Sequence, residues 1–484
     1  MSKLLHALCA PFGPIWRQFT SHWRRALTSF GAGLVVLMLM HLPLVEASII
    51  GEPDREMLAT AFKVKADAVV GTGGPAVLLD IDDDTLRAQT YVPVQPGREP
   101  TASAPRGMVA DLLRFVQSAP LQRGAAAVIV DVDIGAPAPD DPQGTAALRD
   151  ALQQWSADPR APQLIIAREA FAPKVLGLEG EHQTLPTTDY DDLVAKAPNI
   201  RWGSVKMLAD HHGVIHEFLP YQCVEQGGAL RPLYSAVLLA SGAIAGAPPA
   251  GSPSARALAE APEHCASDRH DHNEHGQVIN FQLSLDPHRE EPDWASVDPN
   301  WLGFKTCGAG SDTSVFRRLS AADVLAAGPD AARDFLCRRL VIIGGTNQVA
   351  NDFQQTPLHM MPGPLILVNA VRGVEGSGGG LRQAGLVAQI TALFCISLLI
   401  SFGFAVSRAA HEHYHHQKAK ARHWSHHVAL FPLNPVVLNL LVGLMAHWIG
   451  VGVLLVTLKY GYWGFLSAPA FGSAVAETIQ EFSE

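Results

Sequence analysis

One run of sequence constrains this chain before anything else. From Ala26 to Val45 no residue is charged, and the stretch centres on GAGLVVLMLM. About 20 apolar residues suffice to cross the hydrocarbon layer of a bilayer as a helix. Lys3, Arg17, Arg24 and Arg25 precede the run, with no acid among them. Basic flanks stay on the cytoplasmic side, so residues 1–25 are expected to be a cytoplasmic N-terminus, 26–46 a transmembrane helix, and the chain beyond it external. A cleaved signal peptide, with Ala47 near the cleavage site, is the competing reading, and the long leading region counts against it.

Two further charge-free runs lie late in the chain. Gly385 to Ser407 predicts a span at 385–407, and Val428 to Leu458 predicts another at 434–458. Residues 408–427 between them form a His/Lys/Arg-rich loop. Its Arg408, Lys418, Lys420 and Arg422 oppose a single acid, Glu412, which places the loop in the cytoplasm. Residues 461–476 are apolar but Gly/Pro-rich, and read either as a short fourth span or as an interfacial segment. The implied location is a bacterial inner membrane, crossed several times, with the large domain periplasmic. The 48% hydrophobic fraction over 484 residues agrees: it is high for a soluble protein and low for a transporter. The net charge of −10 is unevenly spread, and no basic stripe with interleaved aromatics supports nucleic-acid binding.

Residues 53–380 read as one soluble α/β domain with a layered sheet. The runs at 75–82, 124–133, 161–167 and 338–345 are short and almost continuously apolar, as in strands buried on both faces of a parallel sheet. Helical patterns intervene at 108–116, 145–155, 233–245 and 320–327, and such alternation favours layered α/β architecture. Residues 246–276 are rich in Ala, Pro, Gly and Ser, then in His and acids, and predict an exposed insertion loop.

Four segments of this domain, in order, resemble the second type of CHASE domain. They are AVLLDIDDDTL (76–86), Pro105-Arg106 with the unit leading to GAAAVIVDVDIG (124–135), DHHGVIHEFLPY (210–221), and residues 338–374 with their Gly turn, Asp352, Thr-Pro and Pro-Gly helix start. The resemblance implies an extracytoplasmic sensory module of the kind found ahead of cyclases and histidine kinases, with one span before it and usually three after. His216 stands where the family turn normally continues into Arg, and no cyclase, kinase or phosphatase domain is expected in the residues after the spans. A strand followed by Asp80-x-Asp82 also resembles the haloacid-dehalogenase nucleophile motif. Thr85 falls one place late and no second Gly-Asp-x-x-x-Asp motif follows, so a phosphatase is not expected.

Candidate ligand-binding residues are the strand-end acids Asp82, Asp131 and Asp133 together with Asp352, since carboxylates at the carboxyl ends of neighbouring parallel strands can converge on a ligand or cation. The plainer reading is that they cap helices and turns. The glycine turn in IIGGTNQVAND (342–352) offers backbone N–H groups to an anion, or serves as a structural turn. His264, Cys265, His270, His272 and His275 crowd one segment and are weak metal candidates, because their spacing fits no closed site. Cys223, Cys265, Cys307 and Cys337 fall in the exported domain and are disulfide candidates, with three pairings open.

The expected function is therefore a non-enzymatic, membrane-anchored sensory or ligand-binding module. It would relay to an unidentified membrane or cytoplasmic output protein and form homodimers; no cofactor is named. The alternative is a structural or assembly subunit of an envelope complex.

Overall fold

A computed structural model describes residues 23–40, 75–87, 105–118, 125–135, 141–170, 183–210, 212–267, 276–281, 316–328, 340–346, 352–383 and 387–399, with a few short pieces besides. The chain divides into two compact units, one formed by Met1–Ala61 with Gln383–Glu484 and the other by Phe62–Arg382.

In the first unit, helix α1 (Trp23–Met40) packs on the helical residues 387–399. Leu37 and Leu393 form the seam, Phe30, Leu34 and Ile390 flank it, and the rings of Phe30 and Phe394 meet edge to face at 5.3 Å. Among the described residues no helix is long and apolar enough to cross a membrane. The expected span at 434–458 lies outside the described residues, as does that at 461–476 apart from the short strand Tyr462–Trp463.

The second unit is built on a six-stranded parallel sheet in the order β11-β1-β12-β2-β3-β5. Its first half runs β1 (Ala76–Asp80), α2 (Arg106–Gln117), β2 (Ala127–Asp131), α3 (Pro142–Ala157) and β3 (Gln163–Ala167). Short β4 (Gln183–Thr184) precedes the edge strand β5 (Ile200–Gly203), and β6 (Met207–Ala209), β7 (Ile215–Phe218), β8 (Tyr221–Gln226) and β9 (Ala229–Tyr234) come after it. Then come α4 (Ala236–Ala245), α5 (Pro253–Ala266), β10 (Gln277–Val278), β11 (Phe316–Ser320), α6 (Ala321–Ala327) and β12 (Leu340–Gly344). The hairpin β13 (Phe353–Gln355) and β14 (Met360–Pro362) leads into α7 (Gly363–Gly376). All four strands expected from apolar runs are central in the sheet, as a strand buried on both faces must be.

Strand parity sorts the core into two layers. Val77, Leu79, Val128, Val130, Leu164, Ile166, Val341 and Ile343 face the layer of α2, α3 and α6. On the other face α4 packs over β2, β3 and β5, and α7 over β12 and β1. Each large aliphatic side chain buried this way contributes about 1.5–3 kcal/mol relative to exposure. The β8–β9 hairpin turns at Gly227 and Gly228, whose φ of 63° and 78° match the twist a two-residue hairpin demands.

Within the expected loop at 246–276, Pro253–Ala266 instead form helix α5. Ser252 caps it by accepting the Ala255 N–H at 3.2 Å, and Pro253 sits at the first helical position, where no N–H is needed. Composition suggests a loop, but the Ala-rich stretch gains its packing from β8 and β9.

Candidate functional site

The sheet register sets the site. Asp80, Gly344 and Asp131 lie in one row across β1, β12 and β2. Both neighbours of β12 send their next helix to the α2/α3 face, whereas β12 leads through the hairpin to α7 on the opposite face. The carboxyl end of β12 is therefore a topological switch point, and it is at such points that open α/β sheets form a crevice for ligands. Gly344 is needed there for close approach, because a Cβ would lie 2.7 Å from Pro364 Cγ and 3.3 Å from Asp131 Cβ.

One side of the crevice is filled by the chain itself. Asp80 is fully buried and accepts the Thr346 N–H at 2.9 Å, the Thr346 hydroxyl at 2.6 Å and Arg318 Nε at 2.5 Å. Arg318 also donates to Thr346 Oγ1 at 2.8 Å. Burial raises the Asp80 pKa, while Arg318 and Thr346 oppose the rise. At Thr346 the expected anion cradle thus holds this protein's own carboxylate.

The other side gathers acids. Asp131 is half-buried and its pKa is pushed up to about 7, by burial first and then by the negative charges of Asp352 and Glu169. Asp352 is also raised, mainly by burial, with Glu169 adding to the rise and a hydrogen bond with Gln354 opposing it. The Asp352 carboxylate lies against Gly363, and its backbone carbonyl accepts the Gly363 N–H at 2.9 Å. Asp352 therefore sits beside the N-terminus of α7, whose dipole favours a carboxylate. Two carboxylates that share a site titrate as a coupled pair.

The other two acid candidates serve the backbone. Asp82 accepts the Thr85 N–H at 2.7 Å and starts a short helix, and exposed Asp133 accepts the Gly135 N–H at 2.9 Å. Of the expected quartet, the structure brings together Asp131 and Asp352. The third member, Glu169, follows β3 and carried no sequence signal beyond its place after an apolar run.

The Asp-x-x-Gly-Val turn is also closed on itself. Asp210 accepts the His212 and Val214 N–H groups at 2.9 and 3.0 Å and pairs with His216 Nε2 at 3.1 Å, while Gly213 takes φ 77°. Val214 bridges to Gln355, which links this turn to the hairpin ahead of α7.

Among the weak metal candidates, Cys265 is joined to Cys223 in a disulfide, with Cα atoms 5.3 Å apart, so as bonded it offers no thiolate to a metal. The His264 ring packs edge-on to Tyr221 at 6.0 Å. His270, His272 and His275 lie outside the described residues, as do Cys307 and Cys337. Among the described residues no group of three or more His, Cys, Asp or Glu side chains is placed to hold a metal ion.

Sequence reasoning also missed Arg168. Nearly buried, it donates to both Asp191 oxygens at 2.7 and 3.2 Å, donates to the Pro186 carbonyl, and stacks on Trp202 at 4.6 Å. It fixes the loop after β3 that carries Glu169. Buried Arg106 does similar work beyond β2, donating to Thr145 Oγ1 at 2.8 Å and to the Ile134 carbonyl at 3.0 Å.

A family model, the CHASE2 domain, matches residues 32–405. No curated protein and no solved structure gives a significant match.

Proposed function

Because the chain belongs to the CHASE2 domain family, whose members are extracellular sensory domains, we propose that Phe62–Arg382 is a non-enzymatic periplasmic sensor. In this reading it senses through the acidic side of the β12 crevice. The match over residues 32–405 is the observation that carries the reading. The Cys223–Cys265 disulfide supports an oxidising compartment, since such bonds persist outside the cytoplasm.

Residues 26–46 and 385–407 are proposed to anchor the domain in the inner membrane. The helix pair of the first unit supports this by the apolar side chains on its outer surface. Val35 is 60% and Val387 79% exposed, with Leu27, Met38 and Leu399 also outward, whereas Gln389 and Ser397 are buried. Apolar side chains outward and polar ones inward suit a surrounding of lipid rather than water.

Asp131 and Asp352 are the proposed ligand groups. Ligands that need only two carboxylates are a proton or a cationic organic group, and either would relieve the repulsion that the empty pair stores. Binding would shift the domain between two states, and the change would pass along residues 383–484 to a membrane or cytoplasmic partner. The test is thermal melting of the detergent-solubilised full chain across pH 5–8 and against a panel of small amines. A response lost in both Asp131→Asn and Asp352→Asn is expected; no response in the wild-type chain, or one unchanged in both variants, sinks this site.

A further inference from the structure

Helix α7 begins at the acidic pair and ends where the domain ends. Its first residues, Gly363 and Pro364, touch Asp352 and Gly344. Every residue from Pro364 to Val374 is buried, including Asn369 and Arg372. A helix packed on all sides moves as a unit, because a close-packed interior cannot absorb a shift locally.

Its C-terminal end is unusual. One glycine is enough to close a helix, yet Gly378, Gly379 and Gly380 all hold positive φ, at 65°, 105° and 104°. Such a run costs chain entropy on folding. The contacts explain it. A Cβ on Gly379 would lie 2.5 Å from Ser252 Oγ, and one on Gly380 would lie 2.9 Å from Gln277 Oε1. The Gly379 N–H donates to the Val374 carbonyl at 2.8 Å, and the Gly379 carbonyl accepts the Ser254 N–H at 3.0 Å. The glycines thus lock the end of α7 onto the first turn of α5, and α5 is itself bonded to β8 through Cys265. The domain ends at Arg382, three residues past the Gly379 lock.

We propose that Gly378–Gly380 is a latch, and that a displacement of the N-terminus of α7 against Gly344 releases it from Ser252 and Ser254 and so frees the chain at Arg382. The Ser254 N–H holds the Gly379 carbonyl, so a shift of α7 along its axis must stretch or break that bond. The inference rests on reading the domain as a sensor, but its test needs no ligand, so failure here leaves the sensing site untouched.

Gly344→Ala pushes on the helix directly, since its Cβ would meet Pro364. Gly144→Ala is the control, because its Cβ would lie 2.1 Å from Asp141 Oδ2 at the start of α3, in the layer on the opposite face of the sheet. Amide hydrogen exchange is followed in the full chain. Gly344→Ala is expected to speed exchange at 377–382 by about tenfold, with Gly144→Ala leaving those amides near wild type. Equal acceleration in both variants, or none in Gly344→Ala, overturns the latch. Should a strand variant fail to fold, Gly379→Ala reads the coupling from the other end. It is expected to speed exchange at 365–368 as well as at 377–382, and an effect confined to 377–382 overturns the proposal.

Discussion

Asp80 and Asp131 stand in the same row of the parallel sheet, one strand either side of Gly344, yet they meet opposite surroundings. Asp80 is held by Arg318 and by both donors of Thr346. Asp131 faces Asp352 and Glu169. One carboxylate builds the fold; the other is left under repulsion, which is the condition a sensing group needs.

The Asp131 pKa, pushed up to about 7 in the folded chain from an ordinary 3.8, dictates a pH dependence. A raised folded-state pKa gives stability that is full below the unfolded value and lost as pH rises through the folded value. The wild-type melting point should therefore fall between pH 4 and 8, most steeply near about 7, and the raised pKa of Asp352 acts in the same direction. Asp131→Asn should flatten this slope and melt above wild type at pH 8. Parallel curves for the two proteins would show that Asp131 does not titrate in this window.

Asp80 should behave as a structural group. Asp80→Ala leaves Arg318 and the Thr346 donors without their acceptor and is expected to cost about 3 kcal/mol in urea unfolding. Arg318→Ala should cost only about 1 kcal/mol, because its side chain is half in water and the pair is screened there. Equal costs would mean that Asp80 owes its place to Arg318 rather than to the Thr346 turn.

The Cys223–Cys265 bond closes a separation of 42 residues, which the loop-entropy relation converts to about 4 kcal/mol. Reductant should lower the urea midpoint of wild type by more than that of Cys223→Ser. Thiol labelling of the denatured, unreduced chain should miss both Cys223 and Cys265; labelling at either one contradicts the bond.

At Arg168 a lysine keeps the charge but loses the planar fork that reaches both Asp191 oxygens and the stack on Trp202. Arg168→Lys is expected to destabilise the domain by about 2 kcal/mol. A melting point within a degree of wild type would mean that the charge alone suffices.

The proposed membrane topology follows from the Lys/Arg asymmetry around the first two charge-free runs. Reporter fusions after Gly74 and Gly376 should report an external position, and a fusion near Lys418 an internal one. An internal signal at Gly376 would remove the periplasmic sensor along with the topology.

Sequence alone determined the parallel sheet. Four short, almost continuously apolar runs, at 75–82, 124–133, 161–167 and 338–345, read as strands covered on both faces, and they became β1, β2, β3 and β12. It also marked Asp131, Asp352, Cys223 and Cys265 as chemistry-bearing, because residue type is a local property. Which acids meet was decided by the tertiary structure. Nothing local separates Asp82, which caps a turn, from Asp131, which faces Asp352, since that difference comes from β12 inserting between β1 and β2 in register. The same holds for Thr346, whose N–H and hydroxyl are claimed by an acid 266 residues away. Helix α5 was hidden for a related reason: 14 residues with Pro262 in the interior are marginal as an isolated helix, and packing on β8 and β9 with the Cys265 bond gives the segment somewhere to fold. Periodicity encodes which residues are buried, whereas contacts between distant segments exist only once the chain has closed upon itself.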